Sequence, residues 1–131
     1  MTDNLHRLAV AESQLTAEGA NFETRPVTIE GAEYRCYAKA PENMGAYFRL
    51  MLGHTDKEFA VYRDERYTFA EAYAEAAALA RALVDDYGVR KGDRVAIVSR
   101  NNPQWMTAFI GVLSIGGVAV PMNAWWTTEE L

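Results

Sequence analysis

The sequence contains a single cysteine, Cys36, among its 131 residues. One cysteine cannot form an internal disulfide, and it cannot supply the set of thiolates that holds a structural metal ion. This scarcity excludes a disulfide-stapled secreted domain and favours a reducing, cytoplasmic location. Because Cys36 lies in an alternating strand pattern, we expect it to be a small buried hydrophobe, with a reactive thiol as the alternative.

Clusters of positive charge are also missing. The chain has 13 Lys and Arg against 18 Asp and Glu, which gives a formal net charge of −5. Its densest basic stretch, at residues 90–94, is flanked or interrupted by Asp85, Asp86 and Asp93. Because neutralising nucleic-acid phosphates requires clustered Lys and Arg, the sequence argues against a nucleic-acid partner.

Residues 101–128 contain no charged side chain. The middle of this stretch, WMTAFIGVLSIGGVAVPM, is long enough to cross a bilayer, and tryptophans near both ends are placed as an aromatic belt would be. Gly116 and Gly117 are nevertheless typical of a helix end, and residues 118–121 are typical of a strand closed by proline. We therefore expect a buried helix and a buried strand instead of a membrane span. The N-terminus carries charges throughout and does not resemble a secretory signal.

The composition is that of a globular chain, since 50% of the residues are hydrophobic and the length suits one domain with a sizeable core. Apolar spacing predicts a helix over about 3–18, and alternation predicts a hairpin over 26–38 with a type II′ turn around Gly31-Ala32. A short helix with Gly53 beyond its end is predicted next, followed by a strand pair around Asp64-Glu65.

The second half begins with a strong helix signal. Thr68 and Glu71 have the spacing of a capping box, in which the hydroxyl accepts from the N3 amide and the carboxylate reaches back to the cap amide. Apolar residues follow at three- and four-residue steps until Gly88, which is typical of a helix end. A helix is therefore predicted between these residues.

A strand, a helix and a second strand follow in order. Residues 95–98 and 118–120 are apolar runs, and Asn102 with Pro103 should begin the helix of about 103–115 that separates them. Parallel strands require such a crossover, so this order predicts a βαβ unit. Apolar runs of this kind also imply that both faces of the sheet are covered.

The last residues repeat the helix-start signal. Thr127 and Glu130 have capping-box spacing, yet only Leu131 follows them. A single helical turn is marginal in water. We therefore expect that the sequence of the domain is interrupted at this point, with the rest of the sheet encoded downstream.

An ordered set of segments runs through residues 67–131: Tyr67-Thr68 with Glu71, Leu79-Ala80 with Leu83, GVRKGDRVA at 88–96, Asn101 with Trp105, Gly117, VPMN at 120–123, and Glu130-Leu131. At this spacing the set resembles the early part of the adenylate-forming synthetases, the AMP-binding acyl-CoA synthetase and ligase superfamily. Ala72 and Gly116 differ from the usual leucine and alanine. Trp125 and Trp126 replace smaller residues. They indicate either a subgroup that uses fatty-acyl or aryl substrates, or simply a packing role.

The resemblance implies an α/β fold that forms the N-terminal part of the large adenylation domain, with a parallel βαβ unit, β-hairpins and covering helices. Residues 1–66 would supply helix, hairpin and helix, and residues 67–131 a helix and the βαβ unit. The phosphate loop, the later nucleotide-binding motifs and the C-terminal domain with its catalytic lysine would lie beyond the equivalent of Leu131. Residues 1–131 are thus expected to be a truncated segment that lacks the C-terminal domain.

The resemblance also implies a two-step ligase reaction. A carboxylic or fatty acid attacks the α-phosphate of Mg-ATP to give an acyl-adenylate and pyrophosphate, and the thiol of coenzyme A then displaces AMP. The complete enzyme would use ATP, Mg²⁺ and coenzyme A on a small carboxylic acid. This chain alone is expected to bind no cofactor, to be inactive, and to self-associate with Trp125, Trp126 or both in the contact.

Two other classes of function remain open. A stand-alone nucleotide-binding α/β domain is disfavoured because the turn SRNNPQ lacks the glycines that allow the backbone to approach a pyrophosphate. A non-catalytic interaction module could dimerise through exposed sheet edges.

No catalytic, cofactor-binding or metal-binding residue is assigned from the sequence. The glycines at 111, 116 and 117 have the spacing of a phosphate loop, but no Lys followed by Ser or Thr comes after them. Packing and helix-end roles are therefore favoured. Gly88, Gly92 and Asp93 are expected to form a tight turn instead of a nucleotide contact.

The remaining polar candidates have no partners at useful spacing. His6 and His54 lack neighbouring metal ligands in the sequence, so surface or capping roles are expected. Asp85 and Asp86 are expected to form a solvated helix end.

Overall fold

The computed structural model describes residues 2–130 as a mixed α/β chain. The chain divides between Pro41 and Glu42 into two compact units. Within the described residues, the strands form three separate two-stranded sheets.

The first unit consists of helix α1 (Thr2–Thr16) and the antiparallel strands β1 (Thr24–Ile29) and β2 (Ala32–Tyr37). The helix predicted over about 3–18 is confirmed. The predicted type II′ turn around Gly31-Ala32 is wrong, because Glu30 and Gly31 form the loop and both have positive φ, 50° and 83°. That combination defines a type I′ turn, whose twist also matches the strands.

The second unit starts with α2 (Met44–Phe48), which continues directly into a 3₁₀ helix (Arg49–His54). Gly53 lies inside this 3₁₀ helix and does not end the segment, so its predicted position beyond the helix is wrong. Asn43 caps α2, because its side-chain oxygen accepts from the amide of Ala46 at 2.8 Å.

Strands β3 (Glu58–Tyr62) and β4 (Glu65–Thr68) form the predicted second hairpin. Tyr62 pairs with Glu65, so the loop is Arg63-Asp64, one residue earlier than predicted. Arg63 has a φ of 54°, a left-handed conformation that the sequence does not reveal because glycine and asparagine are its usual occupants.

Helix α3 (Phe69–Asp85) begins with the predicted capping box. The amide of Glu71 donates to the Thr68 hydroxyl at 3.2 Å, and the amide of Thr68 donates to the Glu71 carboxylate at 2.8 Å. At the other end Gly88, with a φ of 67°, donates its amide to the carbonyl of Val84 at 3.2 Å. The glycine therefore ends the helix as predicted.

The predicted βαβ unit is confirmed. Strands β5 (Arg94–Val98) and β6 (Val118–Met122) are parallel and in register, and helix α4 (Pro103–Ser114) joins them. Asn102 caps α4 by accepting from the amide of Trp105 at 2.9 Å, and Pro103 occupies the first helical position.

Helices α3 and α4 pack closely because both present small residues to each other. Ala72, Ala76 and Ala80 are buried along α3. A Cβ placed on Gly111 of α4 would lie only 2.8 Å from the carbonyl oxygen of Ala76. The helix pair therefore depends on a glycine at the crossing.

Only one face of the β5–β6 sheet is covered. Ile97 is buried on the face toward the helices, whereas Val98 and Val118 on the other face are 47% and 46% exposed. Both faces of this sheet were predicted to be covered. Within residues 2–130 only one of them is, so the prediction is wrong for the other face of the described part of the chain.

The uncharged stretch forms a helix and a strand, as predicted. Thr107, Ile110, Gly111 and Val112 of α4 are buried. Among residues 2–130, no helix has both the length and the apolar character needed to cross a membrane.

Residues 127–130 form a hydrogen-bonded turn in place of the predicted first turn of a helix. The amide and the hydroxyl of Thr127 both donate to the carboxylate of Glu130, at 2.8 and 3.1 Å. The carboxylate half of the capping box is thus formed. Four residues are too few for a stable helix, and Leu131 lies outside the described residues.

Candidate functional site

The carboxyl ends of β5 and β6 lie side by side because the strands are parallel. In α/β sheets, ligands bind at this edge, in the loops that follow the strands. Here residues 99–102 follow β5 and residues 123–126 follow β6, and the two loops border a groove of about 430 Å³. Its lining includes Ser99, Arg100, Asn101, Trp105, Met122 and Trp125.

The loop after β5 is held by its own hydrogen bonds. The hydroxyl of Ser99 donates to the carbonyl of Arg100 at 3.2 Å and to the side-chain oxygen of Asn102 at 3.3 Å. The amide of Asn102 donates to the same carbonyl of Arg100 at 2.8 Å. Because Asn102 also caps α4, the start of the helix fixes the shape of this loop.

The loop after β6 turns around Asn123. Its side-chain oxygen accepts from the amide of Trp125 at 3.0 Å, and its carbonyl accepts from the amide of Trp126 at 3.2 Å. An asparagine side chain that mimics a backbone turn in this way is a common device for a tight bend. The bend directs the chain across the end of the sheet, where Trp125 meets the other loop.

Arg100 and Trp125 join the two loops through a cation–π contact. The guanidinium carbon of Arg100 lies 4.1 Å from the centroid of the Trp125 ring. Arg100 is the one charged residue between 99 and 128. The groove is therefore walled by aromatic and amide groups and carries a single positive charge.

The arrangement is suited to binding and offers no reactive group. The Ser99 hydroxyl is used within its own loop, and within residues 2–130 it has no His or carboxylate hydrogen-bond partner. Nor does any group of three or more His, Cys, Asp or Glu suited to a metal ion occur among the described residues. Nucleophilic catalysis requires an activating base beside the nucleophile, so the groove does not meet this requirement.

Two exposed groups in the second unit have shifted pKa values. A hydrogen bond to Glu65, at 2.9 Å, raises the pKa of Tyr67. The backbone amide of Thr68 lowers the pKa of Glu71 by stabilising its carboxylate. Both shifts follow from local contacts of β4 and α3 and lie outside the groove. The side-chain amide of Gln104 also donates to the Tyr67 hydroxyl at 3.2 Å, which links β4 to α4.

The glycine candidates take part in packing and in turns. Gly111 is buried against α3, and Gly116, with a φ of 77°, follows the end of α4. Gly88 and Gly92 have φ values of 67° and 91°, and the carboxylate of Asp93 accepts from the amide of Arg90 at 2.8 Å. These contacts are those of a helix crossing and a tight turn.

The other candidates have separate surroundings. His6 is exposed on α1, and Cys36 is half-buried on β2. The ring of His54 lies 5.6 Å from that of Phe69. Asp85 accepts from Arg81 at 3.2 Å at the end of α3. The absence of an assigned site residue among them stays a prediction.

The Arg100–Trp125 pair is not recognised from sequence. Trp125 stands out as an unusual residue, but Arg100 looks like an ordinary loop residue. The available signal is that Arg100 directly follows a buried parallel strand and begins a long stretch without other charges.

Comparisons with known proteins agree on one family. The model of the AMP-binding enzyme family matches residues 49–131. The chain is 37% identical over 90 residues to 4-hydroxybutyrate–CoA ligase 2 of Metallosphaera sedula, which covers 69% of this chain and 15% of the relative. It is also 37% identical over 76 residues to a long-chain-fatty-acid–CoA ligase of Bacillus subtilis, covering 58% of this chain and 13% of the relative.

Two solved structures have the same local fold. A fatty acyl CoA synthetase of Mycobacterium tuberculosis superimposes with a TM-score of 0.57 at 32% identity, over 65% of this chain and 17% of that one. The anthranilate CoA ligase AuaEII, in complex with anthranoyl-AMP, superimposes with a TM-score of 0.61 at 27% identity, over 67% of this chain and 17% of that one. In each comparison the chain spans less than a fifth of the other protein's length.

Proposed function

The chain belongs to the AMP-binding enzyme family, and from that premise we propose that it is the N-terminal part of an ATP-dependent acyl-CoA synthetase. The observation that carries the proposal is the parallel β5–α4–β6 unit, with its capped crossover helix, in a chain that superimposes on CoA ligases. The proposed segment belongs to the large adenylation domain, and the small C-terminal domain is encoded elsewhere.

The proposed reaction joins a carboxylic acid to coenzyme A. ATP and the acid give an acyl-adenylate and pyrophosphate, and coenzyme A then gives acyl-CoA and AMP, with Mg²⁺ bound to the ATP. The two relatives above are named for 4-hydroxybutyrate and for long-chain fatty acids. Their common feature is the carboxylate, so we propose a small-molecule carboxylic acid as substrate and leave the acyl group open. The single cysteine supports a cytoplasmic location.

We propose that this chain alone is catalytically inactive. Phosphoryl transfer requires several donors and cations around the phosphates, supplied by a glycine-rich loop, a lysine or a metal ion. The groove at the carboxyl edge has one guanidinium and no glycine-rich loop. It therefore lacks the charge needed to stabilise the transition state.

A chimeric enzyme tests the proposal. In the Bacillus subtilis ligase, the region that matches this chain is replaced by the corresponding residues of this chain, and ATP–pyrophosphate exchange is measured with a panel of carboxylic acids. We expect the chimera to catalyse acid-dependent exchange, and the 131-residue chain to catalyse none. Gly111→Leu should abolish exchange by the chimera because it separates α3 from α4, whereas Gly53→Ala has room for its methyl group and serves as the control.

Two results would contradict the proposal. A folded chimera without exchange would show that the chain cannot serve as this part of a ligase. Acid-dependent exchange by the isolated chain would show that it carries an active site of its own.

A second candidate function is a non-catalytic module that dimerises. The observation in its favour is the uncovered face of the β5–β6 sheet, where Val98 and Val118 are exposed on the same side as Arg94. We propose that the isolated chain self-associates through this face.

A further inference from the structure

A cavity of the second unit that lies between α2, β3 and α4 is walled mainly by aromatic rings. It has a volume of about 290 Å³. The aromatic residues that line it are Tyr47, Phe48, Phe59, Phe69, Trp105 and Phe109. We call this cavity the aromatic cleft.

The α4 side of the aromatic cleft follows from helical spacing. Trp105 and Phe109 are four residues apart and therefore project from the same face of the helix. Their rings stack, with centroids 5.4 Å apart and an angle of 10° between the planes. Ile110, next to Phe109, is buried, and so is Met51 from the 3₁₀ helix. The cleft therefore has a flat aromatic wall and an apolar floor.

The other walls are two edge-to-face aromatic pairs. Phe59 of β3 and Phe69, the first residue of α3, have ring centroids 5.2 Å apart and an angle of 75° between the rings. Tyr47 and Phe48 of α2 have centroids 5.5 Å apart and an angle of 73°. Each ring is thus held by a neighbouring ring. Walls that are already ordered reduce the entropy cost of binding a ligand.

The chemistry of the lining selects a neutral aromatic ligand. Within residues 2–130 no charged side chain lines the cleft, and the polar side-chain groups of its lining are the hydroxyl of Tyr47 and the indole N–H of Trp105. An anion would lose its hydration there without gaining a positive partner. A cation needs open ring faces, and the stacking of Trp105 on Phe109 uses one face of each. Another aromatic ring, in contrast, is attracted by both the edges and the faces of such walls.

The size of the cleft indicates how many rings it can hold. An apolar cavity of roughly 150 Å³ is enough to bind one benzene ring. At about 290 Å³ the aromatic cleft is nearly twice as large, so it has room for two fused rings. Tyr47 and Met106 in its lining are 53% and 40% exposed, which leaves the cleft open to solvent on their side. A ligand can therefore enter without unfolding the unit.

We propose that the aromatic cleft binds a neutral compound with two fused aromatic rings. The three aromatic pairs supply the affinity, and the uncharged lining excludes ionised analogues of the same shape. The proposal rests on the lining and the volume of the cleft and does not depend on the proposed function.

Calorimetric titration of the 131-residue chain with matched probes tests the proposal. The first probe, 2-naphthol, has two fused aromatic rings, and decahydro-2-naphthol has the same carbon skeleton and hydroxyl without aromaticity. The charged probes are 2-naphthoate and phenyltrimethylammonium. We expect saturable binding of 2-naphthol and binding of the other three that is weaker by about fivefold or more. A fivefold difference is roughly 1 kcal/mol, the size of one aromatic contact.

Three leucine variants identify where the probe binds. Phe109→Leu and Tyr47→Leu each remove one aromatic wall but keep the position apolar, and each should weaken binding of 2-naphthol by about fivefold. Tyr47 is 53% exposed, so its variant keeps the proposal testable if Phe109→Leu does not fold. Phe22→Leu is the matched control. It removes an exposed ring from the first unit, where Phe22 contacts Tyr37, and should leave binding unchanged.

Several results would overturn the proposal. These are the absence of saturable binding of 2-naphthol, equal or stronger binding of any of the other three probes, or equal losses in the Phe22 and Tyr47 variants. An affinity for 2-naphthol that falls as the protein concentration rises would show that a second copy of the chain occupies the cleft instead.

The same titration on the chimera described above asks whether the cleft stays accessible in a complete ligase. Retained binding supports the proposal, whereas loss of binding by the folded chimera would show that the rest of the ligase covers the cleft. Exchange activity of the chimera is measured without the probe. Failure of the binding proposal is thus distinguishable from failure of the proposed function.

Discussion

At the scale of single residues, the start of α3 gives the second unit a pH-dependent contribution to stability. The amide and hydroxyl of Thr68 both donate to the same oxygen of Glu71, at 2.8 Å each, and lower its pKa from the ordinary value of 4.5. Because the pKa is lower in the folded state, this stabilisation is complete above the unfolded pKa. It is lost as the pH falls through the folded pKa.

We therefore expect Glu71→Ala to lower the free energy of unfolding at pH 7, and the deficit to shrink as the pH is lowered past 4.5. Urea unfolding of the variant and the original chain at several pH values measures this. Glu75→Ala removes the same charge one turn later on α3 and is the control. A deficit that is independent of pH would show that the Glu71 carboxylate makes no titrating contribution.

The backbone conformation of Glu30 leads us to expect that a substitution there stabilises the β1–β2 hairpin. Its φ of 50° is left-handed, which costs a residue with a Cβ about 1–2 kcal/mol, and asparagine tolerates this region better. Glu30→Asn should therefore stabilise the β1–β2 hairpin by up to about 1 kcal/mol. Slower amide hydrogen exchange across both strands is the expected readout. Glu33→Asn on β2 is the control, and equal protection in both variants would contradict the prediction.

At the scale of secondary-structure elements, the crossing of α3 and α4 determines whether the second unit can form. A Cβ on Gly111 would lie 2.8 Å from the backbone oxygen of Ala76, and backbone cannot move aside as a side chain can. Gly111→Ala should lower the free energy of unfolding by about 1–3 kcal/mol through overpacking. Chemical denaturation measures the loss, with Gly53→Ala as the control at an open position. Equal stability of the two variants would show that the helices separate without cost.

Elements with local signals could be predicted, whereas contacts between distant residues could not. Capping residues and turn glycines mark the ends of α3 and α4, and the apolar runs of β5 and β6 leave parallel pairing as the simplest arrangement. The loop Arg63-Asp64 was missed because a left-handed arginine has no sequence signal. The Arg100–Trp125 contact was missed because 24 residues separate the pair in the sequence, and only the parallel pairing of β5 and β6 brings them together.

At the scale of the whole molecule, apolar burial is unevenly distributed. Among the described residues of the first unit none is buried, and Leu5 and Leu8 of α1 are 65% and 66% exposed. In the second unit the α3–α4 side of the parallel sheet is packed and the opposite side is open. Parallel sheets are ordinarily covered on both faces. The open face therefore has a strong tendency to bury itself against another surface.

The last prediction follows from that open face. Burial of apolar surface is worth roughly 25 cal/mol per Å², so exposed Val98 and Val118 favour association of two chains. We expect sedimentation at micromolar concentration to show a self-associated species. Val98→Lys should weaken association, because it adds a second charge to the face that already carries Arg94 and so opposes the burial of that face. Val84→Lys, a substitution at a comparably exposed position on α3, should leave association unchanged. A monomeric original chain, or equal behaviour of the two lysine variants, would show that this face does not join two copies.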